Sequence, residues 1–385
     1  MMTSLPLPSA EALSHSQQLI SLIRSEVDAA GGWLDFARYM HLALYAPGLG
    51  YYSGGAKKFG QDGDFVTAPE ISPLFAQTLA RQAAQVLQMT KGNILELGAG
   101  TGRLALELLL ELQRLQQLPT HYFILEVSAQ LREIQQSTLA KSLPLDLMQR
   151  VQWLDCLPET FIGLVLGNEV LDALPVHIVT TTEHGLAELG ATHYGQGLAW
   201  AEKPLTTGHV YEQASKLALP VGYTTELCPA AIGLIASLAA MLQKGLLLLI
   251  DYGFPQREYY HPQRGQGTLM CHYRHYAHGD PFLYPGLQDI TAHVDFTSIA
   301  EAGVKHGLQI LGYCGQAQFL INCGITEILT RVSPHDIAAY VPLASQAQKL
   351  LSPAEMGELF KVIALGKDVS GELLGFARGD KRHSL

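Results

Sequence analysis

The chain has 385 residues, room for one enlarged domain or two, and 48% of them are hydrophobic against 16% charged, which excludes global disorder. Twenty-five Lys and Arg against 35 Asp and Glu leave a net charge of −10, which disfavours nucleic acid or anionic lipid as a partner of the whole surface. Mean hydropathy is +0.14, yet the most apolar run, Gly245–Ile250, has only strand length and stops at Asp251, so no membrane insertion is expected.

In chain order, Leu19, Ile20, Ile23 and Val27 recur at helical spacing within Ser14–Ala30, and Gly31 and Gly32 close this leading helix. Trp33–Leu44 reads as a second helical stretch, and the glycines of Pro47–Gly55 predict an ordered loop. Ser72 before Pro73 caps a helix that runs to Met89 with Leu74, Phe75, Leu79, Ala83 and Val86 on one side. From Asn93 the pattern changes. Ile94–Leu97, Tyr122–Leu125, Val151–Leu154, Ile162–Leu166 and Leu246–Ile250 are short apolar runs of strand type, with helices predicted over Leu104–Leu115 and Ser128–Ala140. Such alternation predicts an α/β fold, a Rossmann-like, doubly wound, mostly parallel sheet covered on both faces.

Two insertions interrupt it. Val176–Trp200 alternates β-like pieces with turn signals and predicts a small antiparallel excursion within residues 176–228. Phe254–Ala292 is rich in His, Tyr, Pro and Gly without periodicity, and reads as a functional loop. Beyond it, Val294–Gly307 reads as helix, Leu308–Tyr313 as strand, and a last strand falls near Phe360–Leu365. The expected organisation is an N-terminal helical and Gly/Tyr-rich extension over residues 1–90, then a core over residues 91–385 with a substrate-side loop at 254–292. Five widely spaced cysteines without a CxxC pair, and no secretory or transit signal at the start, make a reducing cytoplasm the expected location. Cys271 and its neighbouring histidines match no closed zinc spacing, so no metal is expected there.

The sharpest motif is Glu96-Leu97-Gly98-Ala99-Gly100-Thr101-Gly102, directly after an apolar strand and directly before a helix. Glycines permit a tight turn and let a ligand touch backbone, while the helix start offers unpaired N–H groups. A dinucleotide fingerprint spaces its glycines G-x-G-x-x-G; here the third comes one residue early, behind an acid, which favours S-adenosylmethionine over a nicotinamide cofactor. Glu126 ends the second strand of the core, near the offset at which an acid meets ribose hydroxyls, and Asp155 after the third is placed to accept from an adenine amino group. Gly167-Asn168-Glu169-Val170-Leu171-Asp172 brings an amide and two carboxylates to the end of the fourth, where parallel sheets bind ligands; the alternative is that Asn168 or Glu169 simply caps a helix.

On these motifs, together with Tyr45–Tyr52, Gly60–Ser72, Asp251-Tyr252-Gly253, Gly267-Thr268-Leu269 and Asp289–Phe296, the sequence resembles the MidA family of class I methyltransferases. The resemblance implies a sheet whose last strand is antiparallel and inserted near the edge, S-adenosylmethionine as methyl donor, and a protein substrate carrying an arginine. The family's mitochondrial members are associated with symmetric dimethylation of a respiratory complex I subunit. The alternative is a donor-binding assembly factor that grips its partner with little turnover. An arginine stays protonated, so carboxylates must hold its guanidinium fork; Glu169 is the leading candidate, with Asp172 and Glu70 in support. Asn168 is expected on the cofactor, together with Asp64 and Thr67 from a segment that in the family folds over the donor. Asp64 serves either there or as a turn cap, Tyr51 and Tyr52 either line the substrate opening or plug a seam, and His293 is either a base or an anchor. Both a monomer and a homodimer are compatible with the sequence.

Overall fold

A computed structural model describes residues 5–54 and 67–385. They divide into two compact units, one formed by residues 5–54, 172–233 and 257–293, the other by residues 67–171, 234–256 and 294–385. The first ninety residues are therefore shared between the two units, and the helix before the sheet goes with the sheet.

The second unit is built on strands β1 (Asn93–Leu97), β2 (Tyr122–Leu125), β3 (Val151–Leu154), β4 (Phe161–Asn168), β5 (Leu242–Phe254), β6 (Gln309–Gly315) and β7 (Phe360–Lys367). Their spatial order is β6-β7-β5-β4-β1-β2-β3, all parallel except β7, which runs antiparallel to both of its neighbours. Val294–Asp295 adds a short parallel pairing at the outer end of β5. This is the Rossmann-like methyltransferase sheet, with its antiparallel strand inserted one place from the edge. Both faces of the sheet are buried: Leu246, Leu248 and Ile250 of β5 join one core with helix Pro73–Thr90 and helix Arg103–Arg114, while the alternate Leu247 and Leu249 are buried as well. Ser72 caps Pro73–Thr90, its hydroxyl accepting the Leu74 N–H at 3.2 Å.

The first unit opens with helix Ala10–Ala29, which buries Leu19, Ile23 and Val27 on the expected face. Helix Phe36–Tyr45 starts later than its apolar pattern suggests: Leu34–Asp35 pairs with Ala191 and Gly190 as an edge strand, and Asp35 then caps the helix by accepting the Arg38 N–H at 2.8 Å. The expected antiparallel excursion is a five-stranded sheet, ordered Leu34–Asp35, Gly185–Tyr194, His177–Thr182, Thr224–Leu227, with Gly197–Pro204 paired to Gly185–Tyr194. The segment Phe254–Ala292, expected as a loop, is more ordered than that. Met270–Tyr273 pairs antiparallel with both Tyr276–His278 and Asp289–Thr291. Its hairpin turns on Arg274 and His275, with φ of 48° and 65°, a left-handed pair that Asn-Gly ordinarily supplies and that Arg-His does not advertise.

Glycines let three neighbouring strands close up in the sheet unit. In register, Asn93 of β1 faces Gly163 of β4, which faces Gly245 of β5. A Cβ on Gly163 would stand 2.0 Å from the Asn93 carbonyl oxygen, and one on Gly245 1.9 Å from the Gly163 oxygen, with backbone and not a movable side chain as the obstacle. Gly163→Ala is therefore expected to destabilise the sheet unit by about 3 kcal/mol or more in urea unfolding. Gly233→Ala, in helix Pro229–Met241 where an added Cβ meets nothing within 4 Å, is expected to be neutral or stabilising.

Candidate functional site

The strand order reverses between β4 and β1, and both strands carry their candidate residues at the C-terminal end, the place where open α/β sheets bind ligands. At the end of β1 the chain turns through Gly98, Gly100 and Gly102 with φ of 60°, 53° and 83°, conformations only glycine adopts without cost. The Gly98 N–H donates to the Leu125 carbonyl at 3.0 Å, which ties the loop to the end of β2. Gly102 then starts helix Arg103–Arg114 with no side-chain cap on its first turn.

Behind the loop, Glu96 is 2% exposed and accepts the Tyr122 hydroxyl at 2.7 Å. Burial pushes its carboxyl up to about 7, opposed by the Tyr122 hydrogen bond and reinforced by the nearby charge of Glu126. Glu126, 6% exposed, is also raised by burial, while the Ser128 N–H at 2.9 Å and the Gln135 amide at 2.8 Å pull the other way. A carboxylate offers about four lone-pair sites, so each of these acids keeps capacity to accept from a ligand hydroxyl. Asp155 is placed differently. Its side chain is 88% exposed and pairs at 2.8 Å with Arg132, whose guanidinium also donates to the Leu154 carbonyl at 2.8 Å and to the Glu126 carbonyl at 3.4 Å.

At the end of β4, Asn168 donates its amide to Glu169 Oε1 at 2.9 Å. Glu169 takes a left-handed backbone, φ 54°, which costs a non-glycine residue roughly 1–2 kcal/mol. What holds it there is β5: the Glu169 N–H donates to the Ile250 carbonyl at 2.8 Å, and Asp251, 1% exposed, accepts the Val170 and Leu171 N–H groups at 3.1 and 2.8 Å. No helix starts at this turn, and the N–H groups that the alternative reading gave to Asn168 or Glu169 are met by Asp251, which the sequence marks only as the acid ending an apolar run and as part of the motif Asp251-Tyr252-Gly253.

Glu70, on the one-turn helix Ala68–Ile71, accepts a hydrogen bond from the Thr101 hydroxyl and so lies on the glycine loop. Thr67 precedes that turn, its carbonyl accepting the Glu70 N–H at 3.0 Å. Asp64 lies outside the described residues. Asp172 belongs to the first unit, 6% exposed, with its carbonyl accepting the Ala292 N–H at 3.0 Å. In that unit Tyr51 is core, and Tyr52 donates to Asp289 at 2.9 Å; burial first, then the charge of Asp289, hold the Tyr52 phenol well above its ordinary value. His293 is anchored through its backbone N–H to the Thr268 hydroxyl at 3.1 Å. Thr268 in turn is gripped by Glu226, a buried carboxylate that accepts the Thr268 and Leu269 N–H groups at 2.8 and 3.0 Å. No local signal singles out Glu226, because the N–H groups that it accepts are more than forty residues downstream.

The sheet-edge residues fit a polar ligand of the expected kind. A Cβ on Gly100 would meet nothing within 4 Å, and the buried Asn168 Oδ1 has no hydrogen-bond partner among the described residues. The model of a family described as "putative S-adenosyl-L-methionine-dependent methyltransferase" matches residues 78–314. The chain belongs to this family. A solved structure of a candidate methyl transferase from Burkholderia thailandensis, bound to S-adenosyl-homocysteine, is 51% identical, covers 99% of this chain and 100% of that one, and has a TM-score of 0.96. The mitochondrial protein arginine methyltransferase NDUFAF7 of Danio rerio is 26% identical over 93% of this chain and 89% of its own. Its Mus musculus counterpart is 29% identical over 87% and 81%. The MidA-type resemblance holds, and the cofactor of this methyltransferase is S-adenosylmethionine.

Two outcomes follow. Gly100→Val places a branched side chain on a left-handed backbone in the open space of the loop, so the affinity for S-adenosylhomocysteine by calorimetry is expected to fall by about 100-fold or more in a folded protein. For Glu96, the folded carboxyl holds its proton to about pH 7 while the unfolded one releases it near 4.5, so unfolding releases a proton in that window and stability falls as pH rises through it. Glu96→Gln removes this dependence: its stability relative to the parent, from urea unfolding, should rise between pH 5 and pH 8 by up to roughly 3 kcal/mol.

Proposed function

We propose that this methyltransferase transfers a methyl group to an arginine side chain of a protein substrate, and that Glu169 receives the guanidinium. The observation that carries the reading is the Asn168–Glu169 pair: a carboxylate oriented by an amide, held on a strained turn at the C-terminal edge of the sheet. Strain of this kind persists where surrounding structure over-determines it, and here two hydrogen-bonded anchors on β5 do so. The names of the curated relatives, protein arginine methyltransferases matching most of the chain, support the same substrate class. The net charge of −10 suits a basic segment.

When bound, S-adenosylmethionine supplies an electrophilic methyl group on a sulfonium. The protein's own task is alignment. Gly98, Gly100 and Gly102 cradle the donor, Glu96 and Glu126 lie behind it, and Asn168 offers its amide oxygen. Glu169 fixes the guanidinium plane and favours attack by one nitrogen. Glu70, bonded to Thr101, is assigned to the donor loop in place of the acceptor side. The resemblance extends the proposal to a respiratory complex I subunit as the substrate, and the widely spaced cysteines without a CxxC pair extend it to the cytoplasm as the place of action.

The test is mass spectrometry of a respiratory subunit incubated with the protein and labelled donor, read for methylated arginine. Glu169→Gln is expected to bind S-adenosylhomocysteine with unchanged affinity while transfer falls by about 100-fold. Loss of donor binding in that variant would move Glu169 to the cofactor site. Intact donor binding with no methylated product on any candidate would favour a donor-binding assembly factor.

A further inference from the structure

Helix Ala129–Ser142, which follows β2, carries a glutamine that is 0% exposed, Gln135. Its amide nitrogen donates to the Gly100 carbonyl at 3.0 Å and to Glu126 Oε2 at 2.8 Å, and its amide oxygen accepts the Trp153 indole N–H at 2.9 Å. The orientation of the amide is settled by chemistry: an indole N–H can only donate and a carbonyl oxygen can only accept, so nitrogen and oxygen cannot be exchanged. Both N–H bonds of the amide are used. One side chain therefore joins the ends of three successive strands: the glycine loop after β1, the acid after β2, and the tryptophan of β3. The helix also presses on the loop, since a Cβ on Gly102 would stand 3.2 Å from Gln135 Cα.

We propose that Gln135 is a positioning residue for the donor, a clamp that fixes the Gly100 peptide and the Glu126 carboxylate relative to each other before the donor arrives. The inference rests on the reading of the glycine loop and Glu126 as the donor site. Without the clamp the Gly100 carbonyl and a buried carboxylate oxygen each lose a donor, and the loop loses a side-chain tie to helix Ala129–Ser142. A ligand would then have to order the loop and the acid at the moment of binding, which lowers affinity without removing any direct contact.

The experiment is calorimetry of S-adenosylhomocysteine on the full chain. Gln135→Met, of similar length but without hydrogen-bonding groups, is expected to weaken binding about tenfold or more, and Trp153→Phe, which frees the amide oxygen, several-fold. If both act through the one amide, the double variant should bind no more weakly than Gln135→Met alone, whereas two independent packing defects would add. Wild-type affinity in a folded Gln135→Met overturns the proposal, and so does additivity. Should Gln135→Met fail to fold, Trp153→Phe carries the test, and unchanged affinity there is the overturning result. Gly100→Val separates the two levels: if it too keeps wild-type affinity, the donor-site reading fails, whereas if it loses affinity while Gln135→Met does not, only the clamp fails.

Discussion

The cost of burying a carboxylate organises the chemistry-bearing parts of this protein. Glu96, Glu126 and Asp251 in the sheet unit and Glu226 in the other are each 6% exposed or less. An ion removed from water to that degree is tolerated only when donors replace the water. The replacements are neighbouring hydroxyls, amides and loop N–H groups: Tyr122 for Glu96, Ser128 and Gln135 for Glu126, Val170 and Leu171 for Asp251, Thr268 and Leu269 for Glu226. Three of the four acids thereby convert desolvation into a fixed loop, because leaving any of those N–H groups unmet would expose a charge to an apolar interior. Glu96 accepts from a phenol instead of a loop, and burial raises its proton affinity as it raises those of Glu126 and Glu226.

A fixed loop is what methyl transfer asks of a protein. The donor brings its own reactivity, and rate depends on the line from leaving group through methyl to acceptor. The turn after β4 shows how that line is held. Glu169 would relax out of its left-handed backbone if it stood alone, but hydrogen bonds from β5 to residues 169, 170 and 171 leave it no lower alternative. The glycines work on the other side of the same edge. Gly98 and Gly100 adopt conformations that leave the loop concave, whereas Gly102 admits the helix that bears Gln135. The shortened glycine spacing thus has a packing cause as well as a ligand one.

Much of the fold was legible in the residues. The boundaries read for Tyr122–Leu125 and Val151–Leu154 hold in the structure, and the Leu246–Ile250 run is continuously apolar because the middle of β5 is buried on both faces. The antiparallel β7 was legible only through family resemblance, since its direction leaves no mark on composition. Two local readings failed for one reason. Leu34–Asp35 becomes a strand because Ala191 and Gly190 are there to pair with it, and Met270–His278 becomes a hairpin although Arg-His occupies its turn. In each case tertiary partners outweighed local preference.

The sequence by itself determined which atoms are available at the sheet edge: the glycines after β1, the acids after β2 and β4, and the amide at Asn168. Those follow from local rules, since strand ends, turn conformations and helix starts depend on residues a few places apart. Only the tertiary structure decided what each acid faces. Asp155, equivalent to Glu126 on paper, turns out to Arg132 and solvent, and Glu70 comes to rest on Thr101. Gln135, silent in the sequence, and Asp251, marked there only by its motif and its place after an apolar run, each gather several hydrogen bonds. A buried polar group is defined by partners that the chain returns from tens of residues away, and no local pattern encodes that return.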